Sequence, residues 1–586
     1  MSSPRRVAII GAGPSGLSAV SQLVYLNQSS STIPKFSITL FERRSTFGGV
    51  WNYDASPGPC IIRFDARGRP HALWQGGFKD GDDKGRFRPP GAMYDGLRTN
   101  LPCDIMGYRS QPYDVSTDLF PDRATVERYI RNFAKTVLDG NETKVDVRLG
   151  TAVNSIRRIQ FDAEQAKERI GWGSIWKVTS INVESQKEKE DVKEEEYDHI
   201  VIASGRCNTP TIPAIPGLDR FTGEMLHSAW WRSPIPFEGK TVLVVGNSSS
   251  GSDIARELSG YLLRTLPEGS TATEEYIQRR IHSSSKAKIL HSYQEYDKPP
   301  PLDYDPRDQN SPDWAKRIQV VPKIKAVKSM DGGGRRSKIC FEDGQERDDV
   351  DVIIFATGYA YDLPYLDQAL PPFAQSPLIP ACLETAALAK DQTEGEIYTP
   401  PYPTASYLTN LDDWSLFYSR DASICVLGAP MRIVPIPITH VQSRIIAAAW
   451  SGNLSPFPDS NGLPKLDSDI PTTDPTKWSS RSPIHGLQKI NKTADLGYPS
   501  DTAYQEALLQ LLPQHLKHSG TDQDLKIPPP PSPSPQLNNT TTTNNQDVQQ
   551  SLRPVVAKDE GWAKMPHYRN QRRSDTKRLR RLLLGY

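Results

Sequence analysis

Residues 6–16 read RVAIIGAGPSG, a short β-rich run that breaks into glycines at Gly11, Gly13 and Gly16. An apolar-periodic stretch follows from Leu17 to Leu26, and FSITLFE at 36–42 ends on an acid, Glu42. Strand, glycine turn, helix, strand is a βαβ unit. In such a unit the first glycine allows the tight turn, the second lets a pyrophosphate approach the backbone, and the third lets helix and strand pack closely. The helix that opens through Pro14 and Ser15 then points its positive end at the phosphates. Glu42 is placed to accept hydrogen bonds from ribose hydroxyls. Arg43 follows, and then Gly48-Gly49-Val50-Trp51, where the glycines let the backbone pass close to a flat or charged group.

A second βαβ pattern runs KTVLVVG at 240–246, then Asn247-Ser248-Ser249-Ser250-Gly251, a helix over about 251–264, and AKILHSY at 287–293. Gly246 and Gly251 keep the fingerprint, while Ser248 stands where the middle glycine belongs. The hydroxyls of Ser249, Ser250 and Ser252 offer donors to a phosphate, and Asp253 lies in the first helical turn. Two dinucleotide units imply two nucleotide cofactors. The apolar runs at 349–358 and 423–428 have no glycine fingerprint of their own and are predicted to return to the first sheet.

The expected fold is therefore α/β, with two Rossmann-type dinucleotide-binding domains, the second inserted into the first. The predicted domains are 1–210 (first cofactor), 211–345 (second cofactor, with linkers), 346–460 (return to the first), an extension at 461–527, a disordered linker at 528–555 and a basic tail at 556–586. Within them, 124–138 reads as an amphipathic helix, 54–95 as an irregular excursion, and QKEKEDVKEEE at 186–196 as a solvated loop. The linker contains PPPPSPSP and TTTTNNQ, which cannot bury a core.

With 586 residues the chain has room for cores that enclose two dinucleotides. Its 70 Lys and Arg nearly balance 69 Asp and Glu, so no global field attracts nucleic acid, and no nucleic-acid partner is expected. The 6 cysteines are isolated, without a C-x-x-C pair, which suggests a reducing, cytoplasmic setting and no metal site. The amino terminus runs straight into a strand, so no leader is expected, and no apolar run is long enough to span a membrane. Seven basic residues between Arg569 and Arg581 face only Asp575, which leaves a peripheral membrane contact as one reading and a docking tail as another.

Phe221-x-Gly223-x-x-x-His227-x-x-x-Trp231 stands ahead of the second unit and resembles the motif of class B flavin monooxygenases. Leu97-Arg98-Thr99-Asn100-Leu101-Pro102 with Met106, and Phe355-Ala356-Thr357-Gly358-Tyr359, are similar to segments of the flavin-containing monooxygenases within that class. GAPMRIVPIPITHVQSR at 428–444 is similar to the segment that closes over the flavin; His440 replaces a glutamate of the pattern and Gln442 remains. Trp231, where that family carries tyrosine or phenylalanine, resembles the Baeyer-Villiger branch instead.

The resemblance implies FAD on the first unit and NADPH on the second. It also implies O2 addition to the reduced flavin to form a C4a-hydroperoxide, which oxygenates the nitrogen or sulfur of a small molecule. By the same resemblance Asn100 is the catalytic neighbour of the flavin, Leu101 packs on it, Thr99 reaches its polar edge, Val153 meets the adenine by its backbone, and Gln442 belongs to the closing segment. Tyr293 occupies the approximate position of the arginine that often holds the 2′-phosphate. His227 and His440 read as structural residues. The alternatives are Baeyer-Villiger insertion beside a ketone and a non-catalytic flavoprotein scaffold.

Overall fold

The protein is described by a computed structural model covering residues 4–28, 35–74, 91–141, 144–159, 175–183, 192–263, 280–282, 287–300, 304–329, 337–380, 397–400, 402–412, 414–454, 496–530 and 550–586. Its helices used below are α1 (Pro14–Gln28), α2 (Cys103–Met106), α3 (Arg123–Leu138), α4 (Ser249–Leu258), α5 (Pro435–Trp450), α6 (Ser500–Leu511) and α7 (His567–Leu583).

Two five-stranded parallel sheets carry the architecture. The first has the order Ile424–Val426, His199–Ile202, Arg5–Ile10, Phe36–Phe41, Val145–Arg148. The second has the order Glu224–His227, Val352–Phe355, Thr241–Val245, Lys288–Ser292, Ile318–Val321. Both central strands are buried on both faces, which is why they are runs of Val, Ile and Leu rather than alternating patterns.

The strand within 349–358 does not return to the first sheet, contrary to the expectation. Val352–Phe355 pairs in parallel with Thr241–Val245, Val242 opposite Val352. The physical reason is a repeat longer than the fingerprint. Val352–Phe355 does in the second unit what His199–Ile202 does in the first, and each ends in a small-residue turn beneath the leading glycine. A Cβ on Gly11 would come within 2.6 Å of the Ala203 carbonyl oxygen, and one on Gly246 within 2.5 Å of the Ala356 oxygen. The boundary drawn at 346 thus moves beyond Phe355. Ile424–Val426 does return to the first sheet, with Ile424 opposite Ile200.

Each unit also bears a three-stranded antiparallel sheet, Thr151–Arg158 with Trp176–Asn182 and Val192–Tyr197, and Ile324–Ser329 with Ser337–Phe341 and Glu346–Arg347. The charged run expected as loop is, over Val192–Tyr197, the outer strand of the first of these; 184–191 lie outside the described residues. Its charges suit an edge, where they discourage pairing with another chain. The excursion at 54–95 contains a hairpin, Cys60–Phe64 with Pro70–Trp74, closed by an Asp65 carboxylate that accepts from the backbone N–H groups of Arg67 and Arg69. Helix α3 forms as predicted, capped by Asp122 and burying Val126, Ile130 and Phe133.

The carboxy-terminal part is built into the molecule. Residues 531–549 of the expected linker lie outside the described residues, but Ser551 and Val555 are buried. In α7 the side chains of Arg569, Arg572 and Arg580 are buried. Arg569 pairs with Glu560 at 2.9 Å, Arg572 with Asp104 at 2.8 Å and Arg573 with Asp501 at 3.3 Å. These arginines are consumed by internal carboxylates, so the basic helix is a docking tail for its own chain. Among the described residues no helix is long and apolar enough to cross a membrane.

Candidate active site

The first glycine turn is held by sterics that admit no side chain. Gly11 has φ +105°, and a Cβ on Gly16 would stand 1.8 Å from the Gly11 carbonyl oxygen. Gly49, at φ +58°, lies against the same turn: its Cβ would come within 2.9 Å of the Gly13 Cα. Two separate glycine motifs therefore meet as one bare backbone surface, the kind of cradle a flat dinucleotide needs. Glu42 ties it together, accepting from the Ala12 N–H at 2.7 Å and the Arg44 N–H at 2.9 Å. The Pro14 carbonyl accepts from the Tyr108 hydroxyl at 3.0 Å, and Ser15 is half-buried beside it. Arg43 lies near Asp362, whose carboxyl burial pushes upward. Val50 and Trp51 are half-buried.

The second turn repeats this geometry. Gly246 also has φ +105°, and a Cβ on Gly251 would stand 1.8 Å from the Gly246 oxygen. Ser248 is exposed at the N-cap of α4 with its hydroxyl unused in capping, while Ser249 and Ser250 are half-buried. The Ser252 hydroxyl donates to the Asn247 carbonyl at 3.3 Å. Asp253 points elsewhere. Its carboxylate accepts from Arg256 at 2.5 Å and from the Tyr94 hydroxyl, so it anchors α4 inside the protein. Tyr293 is buried with its hydroxyl unpaired among the described residues and its ring edge-on to His291.

Asn100 joins the two units. Its amide donates to the Ser249 hydroxyl at 3.1 Å, so the segment Leu97–Pro102 lies directly at the second glycine turn. The Thr99 hydroxyl donates to the Leu101 carbonyl at 2.8 Å, bending the backbone around Asn100. Leu101 packs against a cluster of Ile105, Ile527, Val555, Ala557 and Tyr568, much of it from the carboxy-terminal part. Val153 sits where its strand shifts register against Trp176–Asn182. Gln442, fully buried in α5, accepts from the Gly428 N–H at 2.9 Å and donates to Tyr504 at 2.8 Å, which makes it the tether of the 428 turn. His227 is held neutral by burial, at about 4, with Nε2 donating to the Gly358 carbonyl at 3.0 Å. His440 is likewise buried and neutral, its Nδ1 accepting from the Arg109 N–H at 3.1 Å.

Sequence reasoning missed Glu257. On α4 the residues Ser249, Asp253 and Glu257 stand at i, i+4 and i+8, one face of the helix. That face meets Asn100, Tyr94 and Trp231 in turn, with the Trp231 indole N–H donating to Glu257 at 3.1 Å. The four-residue period of polar side chains was the readable signal. It also explains Trp231: a tryptophan stands there because a buried carboxyl accepts its N–H, which says nothing about ketone chemistry.

Burial raises the Glu257 carboxyl to about 8. An acid raised in the folded state binds a proton that the unfolded chain has released, so stability falls as pH rises from the ordinary glutamate value toward 8 and levels off above it. The expected slope is about 1.4 kcal/mol per pH unit. Denaturant melts between pH 5 and 9 should show the slope in the protein and a flatter profile in Glu257→Gln; superimposable profiles would remove Glu257 from this role.

The family profile described as "Flavin-binding monooxygenase-like" matches residues 60–286 and 317–379, and one described as "NAD(P)-binding Rossmann-like domain" matches 9–80. The chain is 25% identical over 469 residues to "Flavin-containing monooxygenase FMO GS-OX-like 4" of Arabidopsis thaliana, covering 78% of each protein. It is 24% identical over 456 residues to the "Thiol-specific monooxygenase" of Saccharomyces cerevisiae, covering 77% of this chain and 78% of that one. Its fold is similar to that of the S-allyl-L-cysteine S-oxygenase from Allium sativum, with a TM-score of 0.55, 22% identity, and coverage of 87% and 88% of the two chains. With two glycine cradles that accept dinucleotides and these likenesses, the chain belongs to the flavin-binding monooxygenase-like family and is a class B flavin monooxygenase, an oxidoreductase that works with FAD, NADPH and O2.

Proposed function

We propose that the protein oxygenates a soft nucleophile, sulfur or nitrogen, of a small molecule. The observation that supports this best is the Asn100–Ser249 contact, because it sets the flavin-side segment against the nicotinamide-side turn. Bound flavin, once reduced, supplies the activation of O2. Gly11, Gly13, Pro14, Ser15, Gly16, Glu42, Gly49 and Val50 would cradle FAD, with Arg43, Trp51 and Val153 at its margins. Gly246, Ser248, Ser249, Ser250, Gly251 and Ser252 would hold the NADPH phosphates. Gln442 acts through the 428 turn, and Asp253 through α4. Asn100, whose amide reaches the second glycine turn, would hold a proton between the two cofactor cradles. The names of the yeast and garlic relatives, a thiol-specific monooxygenase and an S-oxygenase, favour sulfur. A cytoplasmic setting agrees with Cys60, Cys103, Cys207, Cys340 and Cys425 being free thiols.

Mixing the oxidised holoenzyme with NADPH without oxygen is expected to bleach the flavin; aerobic turnover with a thioether, an amine and a ketone is expected to oxygenate the first two. Lactone or ester from the ketone alone would overturn the reading. In Asn100→Ala, product formed per NADPH should fall about a hundredfold while NADPH oxidation continues and releases hydrogen peroxide. Unchanged coupling would remove Asn100 from the site.

A further inference from the structure

On the outer side of α1 lies a cavity of about 370 Å³, lined by Gln22 and Tyr25 of α1, Arg444 of α5, and His518, Lys558 and Trp562 of the carboxy-terminal part. It is set apart from the glycine cradle, since Gln22 is eight residues along the helix from Pro14, about 12 Å at the helical rise.

Arg444 is the anomaly. It is 1% exposed, and among the described residues no carboxylate lies within ion-pair distance of it. Its guanidinium donates to the Gln22 amide oxygen at 3.2 Å and the Leu516 carbonyl at 3.3 Å, and among the described residues its Nε has no acceptor. The group lies against two rings, 4.0 Å from the centre of Tyr25 and 4.9 Å from that of Trp562. Neutral acceptors and ring faces solvate a cation only in part, and a buried cation without a counter-charge is costly to fold around.

The acids nearby do not compensate it. Glu560 accepts from Arg569 at 2.9 Å and from Tyr568, and lies 3.6 Å from Arg109. Asp559 accepts from the Gly561 N–H at 3.1 Å and the Thr521 N–H at 3.3 Å, with His518 at 3.7 Å. Lys558 is exposed at the rim and adds a further positive charge. The lining therefore has an excess of positive charge, with Arg444 unpaired among the described residues and aromatic walls on either side.

We propose that this cavity is a binding site for a small oxyanion, a carboxylate or phosphate group, whose charge completes the environment of Arg444. The aromatic walls favour a planar organic anion over a bare inorganic one. No residue of either glycine turn lines this cavity, so the site is independent of the oxygenation reaction proposed above.

The test uses the FAD-loaded enzyme saturated with NADP⁺, so that the nucleotide phosphate sites are filled, at constant ionic strength made up with chloride. Benzoate, inorganic phosphate and neutral benzyl alcohol are titrated by calorimetry. Saturable binding of benzoate, alone or with phosphate, and none of benzyl alcohol is expected. Phosphate binding without benzoate would assign the site to phosphate groups. Arg444→Gln should weaken binding about tenfold or more, and the rim variant Lys558→Glu, which leaves the core untouched and keeps its flavin, about tenfold. No saturable anion binding, or equal affinity in Lys558→Glu and the unaltered enzyme, would overturn the proposal.

Discussion

Arg572→Leu is expected to destabilise the protein by about 3–5 kcal/mol, the cost of stranding one member of a buried ion pair. Arg572 and Asp104 are both 0% exposed, 2.8 Å apart. Arg572 also donates to the Ser551 and Arg553 carbonyls, and Asp104 accepts from the Val555 N–H at 3.0 Å. Leucine removes the cation and leaves the carboxylate with the Val555 N–H alone, and two carbonyls without their arginine donor, in a dry interior. The effect should reach the site, because Asp104 belongs to α2, four residues beyond Asn100. Flavin fluorescence during heating should therefore report release at a markedly lower temperature. Asp104→Leu combined with Arg572→Met should recover part of the loss, since apolar replacements of a buried pair are often tolerated. A release temperature equal to that of the unaltered protein would show that α7 is not needed to hold the flavin-side segment.

The second large effect separates the two cofactors. Gly16→Ala and Gly251→Ala each place a methyl group 1.8 Å from the carbonyl oxygen of the leading glycine of their own turn. Backbone cannot yield to that extent without opening the turn, and the turn is the phosphate cradle. Gly16→Ala is expected to be purified without flavin. Gly251→Ala is expected to keep its flavin and its yellow colour, yet to be reduced by NADPH at least about a hundredfold more slowly, as expected when a positioned reactant is lost. Absorbance at purification and anaerobic reduction kinetics read the two outcomes. Loss of flavin in Gly251→Ala, with flavin kept in Gly16→Ala, would reverse the assignment of the units.

Much of the site was legible because its signals are local. A glycine at positive φ, a third glycine under a helix, and an acid at the end of the next strand are demands of backbone sterics within about thirty residues, and they are written in adjacent letters. Asn100, Leu101 and Gln442 came from a resemblance, and the protein contacts each of them makes were not readable from it: Asn100 meets Ser249. Gln442 spends both ends of its amide on Gly428 and Tyr504, and Leu101 lies on the carboxy-terminal cluster. Asp253 lies one helical turn beyond Ser249 on the same face, but its carboxylate is spent on Arg256 and Tyr94, partners that local sequence does not name.

By itself the sequence determined the two βαβ units, the helix at 124–138, the order of the chain through them and the residues of both glycine turns, because these depend on local sterics and apolar period. Only the tertiary structure decided which sheet receives Val352–Phe355, since a buried apolar strand carries no address beyond its neighbours. Only it decided the fate of the basic tail, where the same arginines would suit a membrane, a partner or the chain itself. A charge is indifferent among those until burial chooses its counter-ion, and here the choice joins Asp104 to Arg572 across 468 positions of sequence.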